Sequence, residues 1–278
     1  MTSRLFLLFA ILIATLGAAR ADTGAWVNVA PGAKIRLLTA DQVGPDSSML
    51  AGLEFQLRDG MKTYWRVPGE SGIPLTADWE KSQGIKRVDF LWPMPKRELD
   101  KGYFDYVYKE DFILPFAVHL DESDAAVPPR LVGELMLGIC GEICVPVKFK
   151  IDRALTLDRE DRPVGFKLSA ALSYVPVEDD RADAPFDAVY FDSENDQLLV
   201  PMSSDPKENE TLILDLPIQS LLFDVPQNRP GSSVLTIQPL NEISLADHIG
   251  SAVRLTYSGR AGAFEKTAPV LSIEALDQ

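Results

Sequence analysis

The chain has 278 residues, a formal net charge of −14, 20 prolines and two cysteines. That length is enough for two domains of ordinary size. The acidic balance speaks against nucleic acid or an anionic membrane surface as a partner, because both call for positive charge.

In chain order, Arg4, the apolar run Leu5 to Leu16 and the small-x-small site Ala19-Arg20-Ala21 predict a secretory signal peptide over residues 1–21, cleaved after Ala21. The run is shorter than the ~20 residues a membrane span needs. No second run of that length follows, so the mature protein is expected to be soluble and exported. Trp26 to Leu38 opens it with mixed alternation. Leu53, Phe55 and Leu57 then point one way, and Glu54, Gln56 and Arg58 the other, which is the pattern of a half-buried strand. Asp59-Gly60 is a turn signal. Lys62 to Val67 reads as a strand broken by Pro68-Gly69, and Thr76 to Trp79 as a short turn. Lys86 to Trp92 reads as a strand stopped by Pro93 and Pro95, and Lys96 to Tyr103 as a polar loop. Phe112, Leu114, Phe116, Val118 and Leu120 share one face of a long strand. Asp121 to Pro129 is loop.

The next stretch, Arg130 to Asp152, holds both cysteines. Leu131, Gly133, Leu135 and Leu137 alternate with Val132, Glu134, Met136 and Gly138. Beyond the cysteines, Val145, Val147, Phe149 and Ile151 alternate with Lys148, Lys150 and Asp152. Gly141-Glu142-Ile143 between them predicts a hairpin whose neck carries Cys140 and Cys144. Facing positions there satisfy the roughly 4.4–6.8 Å Cα separation of a disulfide. In an oxidising compartment two cysteines usually pair. So small a ring has a loop-entropy stabilisation of only about 2 kcal/mol, so a redox or metal role fits better than a structural staple. A purely structural bridge stays open.

Charge clusters from Asp158 to Asp161, and this marks the expected boundary between a domain over 22–160 and a second over 161–278. Leu168, Ala171, Leu172 and Val175 fit a short helix ended by Pro176. Strands are then expected at Ala188–Phe191, Gln197–Val200, Thr211–Leu216, Leu221–Val225, Ser233–Ile237, Ala252–Ser258 and Val270–Ala275. The whole reads as all-β: a β-sandwich followed by a second β-rich domain.

A dithiol at a hairpin neck opens and closes a disulfide with little backbone movement, and exchange needs a thiolate and access. Several stretches carry a resemblance. Gly52-Leu-Glu-Phe-Gln-Leu-Arg-Asp-Gly-Met-Lys-Thr-Tyr-Trp65 runs into Arg66-Val-Pro-Gly-Glu-Ser-Gly-Ile-Pro74. Val88-Asp-Phe-Leu-Trp-Pro-Met-Pro95, Phe112-Ile-Leu-Pro-Phe116 and the cysteine hairpin follow. Together they resemble the periplasmic N-terminal domain of the DsbD family of thiol:disulfide interchange proteins, on its suppressor-of-copper-sensitivity side, over roughly residues 30–158. The resemblance implies an immunoglobulin-like sandwich. It implies that Cys140 and Cys144 take electrons from a transmembrane electron carrier of the DsbD or CcdA kind, or from a thioredoxin-like protein, and pass them to periplasmic thiol-disulfide proteins. The chain would act as a component of a protein-disulfide reductase system, with no bound cofactor. Either cysteine could form the mixed disulfide. An aromatic cap loop matches about Lys96–Tyr106, with Tyr103 and Phe104 as caps, and Tyr64 and Trp65 lie near the pair. The three-residue spacing is shorter than in well-known members, and their membrane and thioredoxin-like domains have no counterpart here.

The rival is copper. Two soft thiolates suit copper(I), and Met136 is the candidate third ligand, with Met94 and His119 also available. Met94 sits between prolines. His119 falls opposite the apolar face of its strand and reads as solvent-facing. His248 lies in no nucleophile motif, and no Gly-rich phosphate loop or H-E-x-x-H is present. Trp65, Trp79 and Trp92 read as core.

Overall fold

Period-two alternation needs a partner for its apolar face, and here two sheets supply one another. A computed structural model describes residues 24–122, 128–157, 162–179, 184–186, 188–204, 210–216, 221–228, 231–241, 244–260 and 262–275. The expected signal peptide, the boundary at 158–161 and Asp180 lie outside the described residues. The first strands are β1 (Val27–Ala30), β2 (Ala33–Val43), β3 (Ser48–Leu57), β4 (Thr63–Gly69), β5 (Thr76–Asp78) and β6 (Ile85–Phe90). Then come β7 (Lys96–Asp100), β8 (Tyr103–Tyr108), β9 (Phe112–Leu120), β10 (Arg130–Cys140) and β11 (Cys144–Ala154).

A five-stranded sheet in the order β1-β2-β3-β9-β6 faces a three-stranded sheet β11-β10-β5. Ile35, Leu53, Phe55, Leu114 and Phe116 from the first sheet share one core with Leu131, Leu135, Ile139 and Phe149 from the second. Trp79 and Trp92 pack against that core, and Trp65 is fully buried in another cluster. The fold is all-β and immunoglobulin-like.

Two stretches read as irregular are strands. Thr76–Asp78 pairs with Glu134–Met136. Lys96–Tyr108 is a hairpin, β7 against β8, and with β4 it makes a separate sheet β4-β8-β7. Its turn is Lys101-Gly102, with φ of 52° and 86°. Two positive φ values are the requirement of a tight primed hairpin turn. Lysine in the first of those places hides the signal.

Trp79 lies flat on β10. A Cβ built on Gly133 would come 2.2 Å from Trp79 Cζ3. Gly133→Ala is therefore expected to destabilise the sandwich by about 1–3 kcal/mol through overpacking. Thermal unfolding checks this, and an unchanged midpoint would contradict the placement of Trp79.

Among the described residues one α-helix, α1 (Arg162–Leu172), begins with Pro163 in its first turn, where a missing N–H costs nothing. It starts and ends earlier than its apolar spacing suggested. Val164 and Leu168 pack on Leu38, Ala40, Leu50 and Ile113. The helix grouped by sequence with the second region thus rests on the first sheet.

The remaining strands are β12 (Val177–Glu178), β13 (Val189–Asp192), β14 (Gln197–Pro201), β15 (Thr211–Asp215), β16 (Gln227–Asn228), β17 (Val234–Ile237), β18 (Ala252–Gly259) and β19 (Gly262–Ser272). They form one sheet, β15-β18-β19-β13-β14-β17-β16, with β12 beside β19. Its own core includes Phe191, Leu214, Leu235, Leu255 and Val270. Leu221–Val225 is not a strand: only Phe223 bridges, to Pro239, and Pro226 has no N–H to extend a ladder. The last strand begins well before Val270, because Glu265, Lys266 and Pro269 interrupt its apolar pattern.

Candidate functional site

The cysteine hairpin forms in the expected register. Every residue from Arg130 to Cys140 pairs with one from Ala154 back to Cys144, and Cys140 faces Cys144 at the neck. The two are joined by a disulfide, with their Cα atoms 4.0 Å apart, closer than the roughly 4.4–6.8 Å expected. Gly141 N–H donates to Ile143 C=O and closes the loop.

The two sulfurs live in different surroundings. Cys140 is fully buried. Its N–H donates to Lys62 C=O at 2.8 Å and its C=O accepts from Lys62 N–H at 2.7 Å, so β10 is tied to the approach of β4. Cys144 is exposed, as are Glu142, Ile143, Val145 and Pro146 around it. A small patch of apolar side chains thus surrounds the accessible cysteine.

Tyr64 stands against both. Its hydroxyl is 2.8 Å from Cys140 Sγ and 3.2 Å from Cys144 Sγ. A disulfide has no proton to give, so the tyrosine O–H donates. Tyr64, Val107 and Cys140 form one buried cluster. The ring is held in a slot between two glycines. A Cβ on Gly72 would come 2.6 Å from Tyr64 Cδ1, and one on Gly138 would come 3.3 Å from Cδ2. A side chain at Gly72 would collide with the ring, and one at Gly138 would crowd it.

Behind the tyrosine lies a charged network. Lys62 Nζ is 2.7 Å from Glu98 Oε2 and 3.3 Å from Asp105 Oδ2. Asp105 is buried, and accepts from Ser71 N–H at 3.0 Å and Ser71 O–H at 2.6 Å. Burial holds the Tyr64 hydroxyl above its usual pKa of 10.0, against the pull of a hydrogen bond with Ser71 and the charge of Lys62. Its proton therefore stays in place at neutral pH. For Lys62, burial alone would lower the pKa, but the hydrogen bond and charge of Glu98 raise it.

Tyr103 and Phe104 sit elsewhere. Tyr103 is exposed at the β7–β8 turn, and Phe104 packs with Trp65, Tyr106 and Tyr108. Neither shares a hydrogen bond or buried cluster with the cysteines. Met136 lies four residues up β10 from Cys140, about 13 Å along the strand, so the candidate copper ligands Cys140, Cys144 and Met136 are not brought together. His119 is hydrogen-bonded to Arg87 and lies 3.0 Å from Asp89. Met94 packs on the Trp65 cluster. Among the described residues no group of three or more His, Cys, Asp and Glu side chains converges as a metal site. Sequence reasoning missed Lys62, Ser71, Gly72, Asp105 and Val107. Of these, all but Val107 fell within a stretch it had singled out.

The site is a disulfide at the hairpin neck of an immunoglobulin-like sandwich, with Cys144 exposed and Cys140 buried. Residues 34–156 match the family model described as "Thiol:disulfide interchange protein DsbD, N-terminal". The match takes in the cysteine hairpin and the sandwich strands before it, and supports the DsbD N-terminal domain family for that part of the chain. The fold is similar to the crystal structure of the N-terminal periplasmic domain of ScsB from Proteus mirabilis. The TM-score is 0.71 at 22% sequence identity, over 90% of this chain and 98% of that one. No curated protein sequence matches the chain. Among the described residues, no helix is long and apolar enough to cross a membrane.

Proposed function

We propose that this is a periplasmic thiol–disulfide exchange protein that relays electron pairs through Cys140 and Cys144, with no bound cofactor. Residues 22–160 make the redox domain, delivered by a cleaved signal peptide over 1–21, and a second domain follows over 161–278. The observation that carries the reading is the asymmetry of the pair: Cys144 is exposed, while Cys140 is buried with the Tyr64 hydroxyl 2.8 Å from its sulfur.

The asymmetry sets the order of events. A partner thiolate attacks Cys144 Sγ, the accessible atom. A partner–Cys144 bond forms, the Cys140–Cys144 bond breaks, and the electron pair stays on Cys140 Sγ as a thiolate. Tyr64 O–H donates to that new charge where water does not reach, so its hydrogen bond is stronger at the thiolate than at the disulfide. The partner's second thiolate then attacks its own sulfur in the mixed disulfide and releases Cys144. The partner leaves oxidised, and the pair leaves reduced with two electrons and two protons gained. The reverse sequence hands them on. The donor would be a transmembrane electron carrier or a thioredoxin-like protein, and the acceptors periplasmic thiol-disulfide proteins.

The test mixes the oxidised protein with one equivalent of a reduced thioredoxin-fold dithiol protein, quenches with acid and alkylates the free thiols. The expected result is reduction of both cysteines with matching oxidation of the donor. A pair that stays fully oxidised while the donor also stays reduced would overturn the relay.

A further inference from the structure

Strand β4 is packed on both sides. On one side Tyr64 meets the two sulfurs. On the other, Trp65 is buried with Phe104, Tyr106, Tyr108 and Ile213, and Ile213 belongs to β15 of the C-terminal region. The next residue, Arg66, stacks on Trp65 with its guanidinium carbon 4.0 Å from the ring centroid. Its side chain then reaches three strands of the C-terminal sheet. Nε donates to Asp215 Oδ2 on β15 at 3.0 Å. Nη2 donates to Thr256 Oγ1 on β18 at 2.8 Å and to Glu265 Oε2 on β19 at 2.7 Å. From β7, Arg97 lies over the rings of Phe104 and Tyr106 and donates to Leu212 C=O at 3.4 Å.

A link between two domains needs none of this. The side chain of Arg66 is only 12% exposed, with a carboxylate on two sides. A planar guanidinium fixed by two acids, a hydroxyl and a ring has one orientation. The ladder leaves it work to do. β4 pairs with β8 at Thr63 and Tyr64, and its register slips directly after Tyr64, resuming at Gly69. The stretch that leaves Tyr64 is thus fixed by the side chains of Trp65 and Arg66, and both hold to the C-terminal region.

We propose that the C-terminal region is a positioning domain for the redox pair: gripping Trp65 and Arg66, it sets β4 so that the Tyr64 hydroxyl stays against the sulfurs. Arg66 is a positioning residue that acts through Tyr64. The proposal rests on reading Cys140–Cys144 as an exchanging pair.

The experiment is a double-mutant cycle on the full chain, reading the rate at which dithiothreitol reduces the oxidised pair. Tyr64→Phe is expected to slow reduction about tenfold or more, and Arg66→Met about threefold or more. The double variant is expected to be no slower than Tyr64→Phe alone, because the Arg66 effect runs through the hydroxyl. A purely structural Arg66 would lower the unfolding midpoint and leave the rate alone, or its effect would multiply with that of Tyr64→Phe. Either result overturns the proposal. Should Arg66→Met fail to fold, Asp215→Asn combined with Glu265→Gln loosens the same grip from the other side. It must give the same coupled loss, and an unchanged rate rejects the idea. Wild-type protein that dithiothreitol does not reduce overturns the exchange reading and this proposal together. Wild-type protein that is reduced readily, beside variants that match it, overturns the positioning role alone.

Discussion

Cys144→Ser is expected to give a folded protein whose remaining thiol is nearly inert, while Cys140→Ser is expected to trap its partner. In the first variant Cys140 stays buried behind Tyr64 and Val107. It reacts only when the hairpin opens, so alkylation should be on the order of a hundredfold slower than at an exposed thiol, for an opening of about 3 kcal/mol. In the second, the exposed Cys144 attacks a partner disulfide and forms a mixed disulfide. Cys140 is no longer there to resolve the adduct, so with a disulfide whose released thiol diffuses away, such as oxidised glutathione, it accumulates and is read by intact mass. Both variants should fold, because a ring this small contributes only about 2 kcal/mol while the sandwich has a core of its own. Equal reactivity of the two lone thiols would remove the proposed order of attack. Unfolding of both variants would make the bridge structural.

Tyr64→Phe carries the second large effect. The ring, its glycine slot and its packing on Val107 survive, and only the hydroxyl goes. The Cys140 thiolate then leaves without its donor. Loss of one preorganised donor to a developing oxyanion costs about a hundred- to a thousandfold in rate, and a smaller loss, about tenfold or more, is expected here because sulfur is a weaker acceptor than oxygen. The sign with pH follows from burial, which holds the Tyr64 pKa above 10.0. The hydroxyl remains a donor below that value, so the gap between wild type and Tyr64→Phe persists from neutral to mildly alkaline pH. It closes only as the tyrosine itself loses its proton. Rates of reduction measured across that range check it, and a gap that vanishes already near neutrality would mean that another group supplies the proton.

The hairpin and the register of its cysteines were legible because alternation on both strands leaves one way to bury Leu131, Leu135, Val147 and Phe149 together. A slip by one residue would turn the apolar face to water. The placement of Tyr64 beside the pair followed from family resemblance, since no local rule links residues 64 and 140. The β7–β8 hairpin was lost behind the charges of Lys96, Arg97 and Glu98. Glu98 pairs with Lys62 behind the site, Arg97 lies over Phe104, and Lys96 pairs with Glu110 at the surface, a use of charge that a strand pattern does not reveal. The grip of Arg66 was equally hidden. Its acids lie 149 and 199 residues further along the chain, and only the folded sheet brings them to one guanidinium. Of the three residues sequence placed as cap or access, Tyr64 lies against the sulfurs, Tyr103 is exposed at the β7–β8 turn and Phe104 packs with Trp65.

The central claim is that the Cys140–Cys144 bridge is a working couple. Its reduction potential, from equilibration in glutathione or dithiothreitol buffers followed by thiol trapping, tests that most directly. Exchange predicts a value between about −120 and −270 mV, the span of known exchange proteins. A value below about −300 mV would mark an inert structural bridge and contradict the account.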